Sequence, residues 1–404
     1  MLLNPSAPSA ALSAALPSAR AVVQSLGASR IREVANAGIG MQGVLPFWFG
    51  EPDQQTPEFI RDAAKQALDA GDTFYTHNFG IAPLREAIAN YVSALHRPVE
   101  PGRVAVTSSG VSALMLLSQL IVNPGDRVVA VTPLWPNLVE IPKILGAEVV
   151  KVPLRFGQTW ELDVQQLLDA LTPGTRAVLL NSPNNPTGWV ITREQQEIIL
   201  AHCRRHGIWI LADDVYERLV YDTPGAPDMR ACAPSFLDLA HPDDRIVSAN
   251  SFSKSWLMTG WRLGWVIAPE PMMADLGKLI EYNTSCAPGF AQRGGIVAVE
   301  RGEEIIAHTV ERYRAARDFL HARLNAMPGI SAPKSKGAMY LFFRVDGAGD
   351  TLDLCKRLVV EARLGLAPGS AFGPEGEGYI RWCFASSLDR LEDGAQRLEK
   401  FLRR

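Results

Sequence analysis

The sequence predicts an α/β protein: a large domain with a mostly parallel sheet between helices, followed by a smaller α+β domain. Between about residues 105 and 269, short apolar runs alternate with longer segments of helical pattern. The runs are almost continuously apolar, which is typical of strands covered on both faces. Beyond about residue 295 a long charged helical segment precedes two more strand-like runs, which indicates a second unit.

Seven runs in the first region are predicted strands, and most are bounded by Gly, Pro, Asn or Asp. Segments such as TREQQEIILAHCRRHG lie between them and end in basic residues and a glycine, as helices do. Ligands of such sheets bind at the carboxyl ends of the strands, so functional residues are expected there. The predicted strands are RVAVTSS, RVVAVT, AEVVKVPL, RAVLLN, IWILADD, RIVSAN and RLGWVIA.

In the C-terminal part, the segment EEIIAHTVERYRAARDFLHARLNAM has apolar residues near helical spacing. The runs AMYLFFRV and GYIRWCFA are predicted strands, with another helix between them. We therefore expect a smaller α+β domain at this end of the chain.

Length, charge and cysteine content narrow the classes of protein. A chain of 404 residues suggests about two domains, and a formal net charge of -3 provides no basic excess for binding nucleic acid. No apolar run approaches the ~20 residues of a membrane span. The five cysteines form no C-x-x-C pair, which favours reduced thiols over disulfides or a metal site. The N-terminal arm lacks the basic start of a secretion signal, so a cytoplasmic location is expected.

The segment VTSSGVSALMLLSQLIV reads as a strand, a turn and a helix. The first amides of a helix have no intrahelical acceptor and lie at the positive end of the helix dipole. Amides around Gly110, Val111 and Ser112 are therefore candidates for binding a phosphate. An ordinary strand-to-helix turn is the alternative at this stretch.

Two acidic residues and two polar turns follow predicted strands. Asp213 ends the apolar run IWILADD and is expected to face the ligand crevice, with Asp214 on the opposite face. Tyr216 follows three residues later. Asn185 lies in the turn NSPNNPTG, where its amide is placed to reach a ligand. A solvated strand end and a purely structural turn are the alternatives.

Lys254 lies in the stretch SFSKSWLMTGWRLGW, among serines, aromatic residues and glycines. Apolar neighbours and a second cation lower the pKa of a lysine, which then becomes an amine nucleophile able to form a Schiff base. Arg262 is a planar donor suited to phosphate, and Ser251 and Ser253 add hydroxyl groups. An exposed loop lysine is the alternative.

Taken together, these candidate groups match one ligand. Amides, hydroxyls and a guanidinium suit a phosphate, a carboxylate suits a basic ring nitrogen, and an amine suits an aldehyde carbon. Pyridoxal 5'-phosphate carries all three features.

The sequence resembles the class I/II pyridoxal-phosphate-dependent aminotransferases of fold type I, which are aspartate-aminotransferase-like. The resemblance covers nearly the whole chain, and its motifs occur in the family's order. They are FGEPDQQTP, YTHNFGIAPLREAIA, NNPTG, ADDVYE, SFSK, GWRLGW and YIRWCFA.

The resemblance implies a role for each cofactor-binding position. Lys254 would form the Schiff base and shuttle the proton, Asp213 would pair with the ring nitrogen, and Trp135 would stack on the ring. Tyr216 and Asn185 would hydrogen-bond the ring hydroxyl, and the implied catalytic residues are Lys254, Asp213 and Tyr216. The Tyr75 hydroxyl would reach the phosphate bound by the neighbouring subunit. The implied cofactor-binding residues are Ser109, Gly110, Val111, Ser112, Trp135, Asn181, Asn185, Asp213, Tyr216, Ser251, Ser253, Lys254, Arg262 and Tyr75.

The resemblance also implies the substrates and the assembly. Arg381 would bind the substrate α-carboxylate, with Gly50 and Asn185 nearby. An amino group would pass from an L-amino acid to a 2-oxo acid by a ping-pong mechanism in a homodimer with shared active sites. The expected domains are 1–59 (the arm and part of the small domain), 60–294 (the large domain) and 295–404 (the rest of the small domain).

The side-chain specificity stays open between alternatives. Val111 occupies the position where one aspartate-specific subgroup carries a lysine, which weakens the case for an acidic substrate. Phe47, Trp48 and Phe49 either line a pocket for bulky side chains or pack in the core. Aromatic or broad neutral substrates are favoured, and aspartate with 2-oxoglutarate remains open.

Two other functions are considered. A carbon–sulfur β-lyase on the same fold would use the same lysine and aspartate. A regulatory module would need a DNA-binding segment, which the short Ala/Ser/Pro arm does not provide.

Overall fold

The computed structural model describes residues 18–222 and 230–403. Residues 1–17, most of the predicted arm, lie outside the described residues. No helix in the described ranges has the length and apolar character needed to cross a membrane.

The helices alternate with strands through the middle of the chain. They are α1 (Ala21–Gln24), α2 (Arg30–Ala37), α3 (Glu58–Asp69), α4 (Ala82–Leu95), α5 (Gly110–Ile121), α6 (Asn137–Ile144), α7 (Val164–Ala170), α8 (Arg193–His206), α9 (Phe252–Ser255), α10 (Met273–Asn283), α11 (Gly289–Arg301), α12 (Glu303–Asn325), α13 (Thr351–Ala362) and α14 (Leu388–Leu402).

The strands form one large sheet, one smaller sheet and two short pairs. They are β1 (Leu45–Pro46), β2 (Val104–Thr107), β3 (Arg127–Thr132), β4 (Glu148–Pro153), β5 (Arg155–Phe156), β6 (Trp160–Glu161), β7 (Thr175–Asn181), β8 (Trp209–Asp213), β9 (Ile246–Ser251), β10 (Gly264–Ile267), β11 (Ile330–Ser331), β12 (Tyr340–Val345), β13 (Leu364–Gly365), β14 (Ala367–Pro368) and β15 (Tyr379–Cys383).

The seven predicted strands form the large sheet, in the order β2-β10-β9-β8-β7-β3-β4. All neighbours are parallel except β10, which is antiparallel to both β2 and β9. Alternate residues of β3 pack on opposite faces: Val128 and Ala130 in one hydrophobic cluster, Val129 and Val131 in the other. The predicted α/β class is therefore confirmed, and the continuous apolar runs are explained by burial on both faces.

The topology gathers the ends of distant strands at one edge of this sheet. Asn181 at the end of β7 is in register with Asp213 at the end of β8. Strand β10 runs in the opposite direction, so its first residue, Gly264, lies at the same edge, opposite Thr107 and Ser251. This edge positions the residues described below.

The smaller sheet is antiparallel, in the order β11-β12-β15-β14. The N-terminal segment joins this part of the molecule, because α2 packs on α13 and Leu45 of β1 pairs with Leu364 of β13. Helix α11, which packs on α3 and α4, contains the expected boundary between 294 and 295.

Candidate active site

A cavity of about 550 Å³ lies at the carboxyl edge of the large sheet, facing the smaller sheet. It is lined by residues from both sheets, from the turns after the strands and from α2. Those that the sequence singled out are Gly50, Gly110, Val111, Trp135, Asn185, Asp213, Ser251, Ser253, Lys254, Arg262 and Arg381.

Lys254 lies on α9, the single helical turn that follows β9, and its side chain reaches the cavity. Its Nζ donates to the carbonyl oxygen of Gly50 and lies 5.8 Å from the ring centroid of Tyr216. Burial lowers the pKa of the Lys254 ammonium to about 8, with Arg381 and Arg262 acting in the same direction. Lys254 is therefore a partly buried lysine of the cavity with a lowered pKa, rather than an exposed loop residue.

Asp213 is buried at the end of β8, where burial raises the pKa of its carboxyl group to about 7. The amide of Val215 donates to Oδ1 at 3.4 Å, and the nearby Lys254 opposes the upward shift. The Nδ2 of Asn181 donates to the backbone carbonyl of Asp213 at 3.1 Å and so fixes the strand end. A buried carboxylate in this position favours a cationic partner from a bound ligand.

The side chain and the amide of Asp214 are both hydrogen-bonded within the protein. Its Oδ2 accepts a hydrogen bond from Ser248 Oγ at 2.7 Å, and its amide donates to the carbonyl of Ala249. Asp214 does not line the cavity, which agrees with its predicted position on the opposite face of the strand.

Helix α5 points its N-terminus at the cavity. Ser109 caps it, with Oγ accepting from the amide of Ser112 at 3.0 Å. The Ser112 amide is thus already paired, whereas the first-turn amides of Gly110 and Val111 have no intrahelical acceptor. A Cβ on Gly264 would lie 2.7 Å from the Gly110 nitrogen, so only glycine permits this close approach.

Hydroxyl groups and a guanidinium complete this end of the cavity. Ser251 Oγ donates to Ser253 Oγ at 2.9 Å and accepts from the Ser253 amide at 3.2 Å. Arg262 is exposed and has a left-handed backbone with φ of 51°. Its Nη1 donates to the carbonyl of Thr259 at 2.7 Å. Amides, hydroxyls and a guanidinium are donors of the kind that suit an anion.

Arg381 lies on β15 and is only 2% exposed. Its Nη1 donates to Asn185 Oδ1 at 2.9 Å, and its Nη2 donates to the carbonyl of Trp48. The buried Nε has no hydrogen-bond partner within the described residues. The guanidinium lies 4.4 Å from the ring centroid of Tyr340 and 4.9 Å from that of Phe372. Such a buried, partly unpaired guanidinium is suited to a carboxylate.

The sequence analysis missed Tyr340. Its hydroxyl lies 2.7 Å from that of Tyr216, and a Cβ on Gly50 would lie only 1.9 Å from the Tyr340 hydroxyl oxygen. The run AMYLFFRV identified the strand, and its single hydroxyl-bearing side chain was the available signal.

The three aromatic residues before Gly50 have different environments. Phe47 and Trp48 are buried, with Phe47 packed 5.2 Å from the Trp382 ring. Phe49 lines the cavity, and the guanidinium of Arg32 lies 5.1 Å from its ring centroid. Other residues that line the cavity were not predicted from the sequence. They are Ser29, Ile31, Arg32, Glu51, Leu114, Asn137, Val215 and Thr259.

Several other predicted residues do not line the cavity. Ser109, Ser112, Asn181 and Tyr216 are not among the lining residues but make the hydrogen bonds described above, and the Tyr216 hydroxyl borders the cavity through that of Tyr340. Tyr75 is 90% exposed on the outer surface of the chain.

The chain is similar to a known family, to curated relatives and to solved structures. Residues 43–398 match the protein family described as "Aminotransferase class I and II". The chain belongs to this family. The aminotransferase is 34% identical to an aspartate aminotransferase of Pyrococcus horikoshii, over 93% of this chain and 94% of that one. It is 33% identical to aromatic-amino-acid aminotransferase 2 of Thermococcus litoralis, over 93% and 96% of the two chains.

A solved structure shows the same fold. The aspartate aminotransferase of Thermotoga maritima superposes on this aminotransferase with a TM-score of 0.86 at 33% identity, covering 96% of this chain and all of the other. The expected fold type and family are therefore confirmed.

The aminotransferase depends on pyridoxal 5'-phosphate, as its family does. The cavity fits this group: Gly110, Val111 and Arg262 offer donors for the phosphate, and Asp213 offers a buried carboxylate for the ring nitrogen. Lys254 offers an amine for the aldehyde. When bound, the cofactor supplies an electron sink for bonds at the substrate α-carbon.

Proposed function

We propose that this aminotransferase moves an amino group from an L-amino acid to a 2-oxo acid by a ping-pong mechanism, with Lys254 as the reacting amine. The observation that carries the proposal is the position of Lys254 Nζ, between the Gly50 carbonyl and the ring of Tyr216, with a pKa lowered to about 8. A lysine with this pKa has a substantial neutral fraction near neutral pH and acts both as nucleophile and as base.

The cofactor would be held by residues at the ends of five strands, β2, β3, β7, β8 and β9, together with Arg262 just before β10. Asp213 would keep the ring nitrogen protonated, because a cation beside a buried carboxylate lowers the free energy of both charges. Asn185 and Tyr216 would bind the ring hydroxyl, and Trp135 would cover a ring face. The phosphate would be bound by Gly110, Val111, Ser251 and Arg262, with Ser253 next to them.

Proton transfer falls to Lys254. Lys254 Nζ would take the proton from the substrate α-carbon and hold it inside the cavity, while the bound cofactor would supply the electron sink. The hydrogen bond to the Gly50 carbonyl supports this role because it keeps Nζ inside the cavity. Ping-pong kinetics follow, since the first product leaves before the second substrate binds.

Substrate binding is assigned to Arg381, with Asn185 and Gly50 beside it. The unpaired Nε supports the assignment because a carboxylate would satisfy it. Tyr340 and Phe372 pack around the guanidinium and exclude water, which strengthens the charge pair.

Two residues that line the cavity, Arg32 and Phe49, favour substrates with acidic or aromatic side chains. Arg32 and Phe49 lie together on the cavity wall, so one guanidinium and one aromatic face are both available. Relatives are named aspartate aminotransferase and aromatic-amino-acid aminotransferase. We propose that Arg32 binds a distal carboxylate and that Phe49 contacts an aromatic ring.

A homodimer with shared active sites is proposed from the exposed aromatic residues. Phe74, Tyr75 and Tyr282 are 83%, 90% and 90% exposed, which is costly for side chains of this size unless a partner covers them. Tyr75 would then reach the phosphate bound by the second subunit.

A cytoplasmic location is also proposed. It is supported by five free cysteines, which suit a reducing compartment. The division into 1–59, 60–294 and 295–404 is proposed for the domains, with the first segment contributing to the small domain.

A half-reaction screen tests the function. Holoenzyme is mixed with single amino acids, and the absorbance of the aldehyde form of the cofactor is followed as it converts to the amine form. Aspartate, glutamate and aromatic amino acids are expected to drive the conversion, and Lys254→Ala is expected to abolish it. Lys278→Ala, on the exposed face of α10, is the matched control.

Two outcomes would contradict the proposal. Transamination at a near-wild-type rate by Lys254→Ala would refute the role of this lysine. Release of pyruvate and ammonia from a cysteine conjugate without any oxo-acid acceptor would identify a carbon–sulfur β-lyase instead.

A further inference from the structure

A partly buried cluster of metal-ligand type lies outside the main cavity. His96 follows the last residue of α4, Glu217 lies in the turn after β8, and Cys232 lies in the segment before β9. One ligand atom from each of the three residues falls within 4.8 Å of the others. The aminotransferase reaction described above does not use any of these groups.

The distances suit a small tetrahedral ion. His96 Nε2 lies 3.3 Å from Glu217 Oε2 and 3.8 Å from Cys232 Sγ. Ligands at the usual Zn–N, Zn–O and Zn–S distances around a tetrahedral ion lie about 3.3–3.6 Å from each other. Two of the three ligand–ligand distances are therefore close to those around a bound ion, and the third is within 4.8 Å.

Second partners orient the ligands. The other ring nitrogen of His96, Nδ1, lies 2.7 Å from Asp238 Oδ1, which is the carboxylate–histidine arrangement that fixes the tautomer of a metal-bound histidine. Glu217 Oε1 accepts from Asn250 Nδ2 at 2.8 Å, which leaves Oε2 directed at His96. The side chains of His96 and Glu217 are only 1% and 5% exposed.

Solvent reaches the cluster from one side. A surface cavity of about 470 Å³ is lined by His96, Cys232 and Asp238, together with Arg193. A hydrated ion has a route to the ligands, and a water molecule has room in a fourth coordination position.

We propose that His96, Glu217 and Cys232 bind one zinc ion through Nε2, a carboxylate oxygen and a thiolate. On binding, the thiol proton and the proton between His96 and Glu217 leave to solvent. One nitrogen, one oxygen and one sulfur ligand favour zinc over magnesium or calcium, which prefer oxygen ligands. Neither the spacing of the cysteines nor a short motif predicts this site, because its ligands come from distant parts of the sequence.

Zinc bound at this site would stabilise the folded protein. The ion would join the end of α4, the turn that carries Tyr216 and the segment of Cys232, so zinc bound to the folded state would raise the unfolding temperature. Only the folded chain brings the three ligands together. The rise in unfolding temperature on adding zinc should therefore be lost when any one of them is replaced.

Zinc content and thiol labelling test the proposal on holoenzyme. We expect one zinc per chain after incubation with zinc and gel filtration, a higher unfolding temperature, and loss of both in Cys232→Ala and His96→Gln. Cys286→Ser, at a partly buried cysteine outside the cluster, is the matched control and should retain both.

The labelling experiment uses the wild-type protein, so it tests the proposal even where a variant fails to fold. Zinc should slow alkylation of Cys232 in the wild-type holoenzyme, measured by peptide mass spectrometry, while Cys286 reacts at an unchanged rate. Failure of the wild type to retain zinc, equal alkylation rates with and without zinc, or retention of zinc by Cys232→Ala would each overturn the proposal. In that case the cluster is a buried network of hydrogen bonds and ion pairs.

Discussion

Arg381 Nη1 donates to Asn185 Oδ1 at 2.9 Å, which joins the two sheets of the protein across the cavity. Asn185 lies in the turn after β7 of the large sheet, and Arg381 lies on β15 of the smaller one. The contact brings together the amide proposed to bind the cofactor and the guanidinium proposed to bind the substrate. A substrate carboxylate bound here would therefore depend on the relative position of the two sheets.

Replacing Arg381 by lysine is expected to raise KM for amino acids by about 10- to 100-fold, because the planar two-nitrogen donor is lost while the charge remains. Steady-state kinetics with a series of amino acids measure the effect. Arg390→Lys, which changes a guanidinium outside the main cavity, is the control. An unchanged KM for every amino acid, with cofactor bound, would exclude Arg381 from carboxylate binding.

The rate at which apoenzyme captures pyridoxal 5'-phosphate should rise with pH through about 8 and level off about one pH unit higher. The reason is the lowered pKa of Lys254, about 8, since the neutral amine is the nucleophile and its fraction rises through that pH. At pH 7 the neutral fraction of the Lys254 amine is roughly one-tenth, whereas that of an ordinary lysine is below about one-thousandth. Stopped-flow absorbance measures the rate.

The same measurement on Nα-acetyl-lysine corrects for the ionisation of the aldehyde itself. A corrected rate that continues to rise beyond pH 10 would show that the amine has an ordinary pKa.

Asp213→Asn and Asp214→Asn form a matched pair of neighbouring substitutions. Asp213→Asn is expected to lower kcat by about 100-fold or more, because a neutral amide no longer stabilises the protonated ring nitrogen. Asp214→Asn keeps an acceptor for Ser248 and should change kcat by less than about threefold. Kinetics at saturating cofactor and substrate separate the two, and equal losses would show that Asp213 has no special role.

Gly50→Ala is expected to destabilise the protein by about 1–3 kcal/mol and to lower kcat/KM, because its Cβ would lie 1.9 Å from the Tyr340 hydroxyl oxygen. Tyr340→Phe removes that oxygen and leaves ring carbon Cζ at 3.0 Å. The double variant should therefore recover part of the unfolding free energy lost by Gly50→Ala. Chemical denaturation of the four proteins measures the coupling, and strictly additive losses would contradict the steric explanation.

The cofactor end of the site was predicted from the sequence because it lies at strand ends. Periodicity gave the strands, and the carboxyl ends of parallel strands meet at one edge, so Asp213, Asn185 and the first turn of α5 were expected together. The stretch SFSKSWLMTGWRLGW added Lys254 and Arg262 as a candidate amine and a candidate phosphate donor, and the resemblance to the family added Arg381.

Side-chain contacts between distant segments required the tertiary structure. Tyr340 was read as part of a strand, and its contacts with Tyr216 and Gly50 cross more than a hundred residues of sequence. Arg32 and Phe49 were not paired in advance, because α2 reaches the cavity by packing on α13. The cluster of His96, Glu217 and Cys232 has no motif spacing at all.

The sequence by itself determined the layered α/β architecture and the family, and it supplied the candidate cofactor-binding residues, because hydrophobic periodicity and short motifs are local properties of a chain. The tertiary structure alone decided which side chains share a cavity wall, which amides are already paired and which buried groups lack partners. Those properties depend on contacts between residues that are far apart in sequence, and no local pattern encodes such contacts.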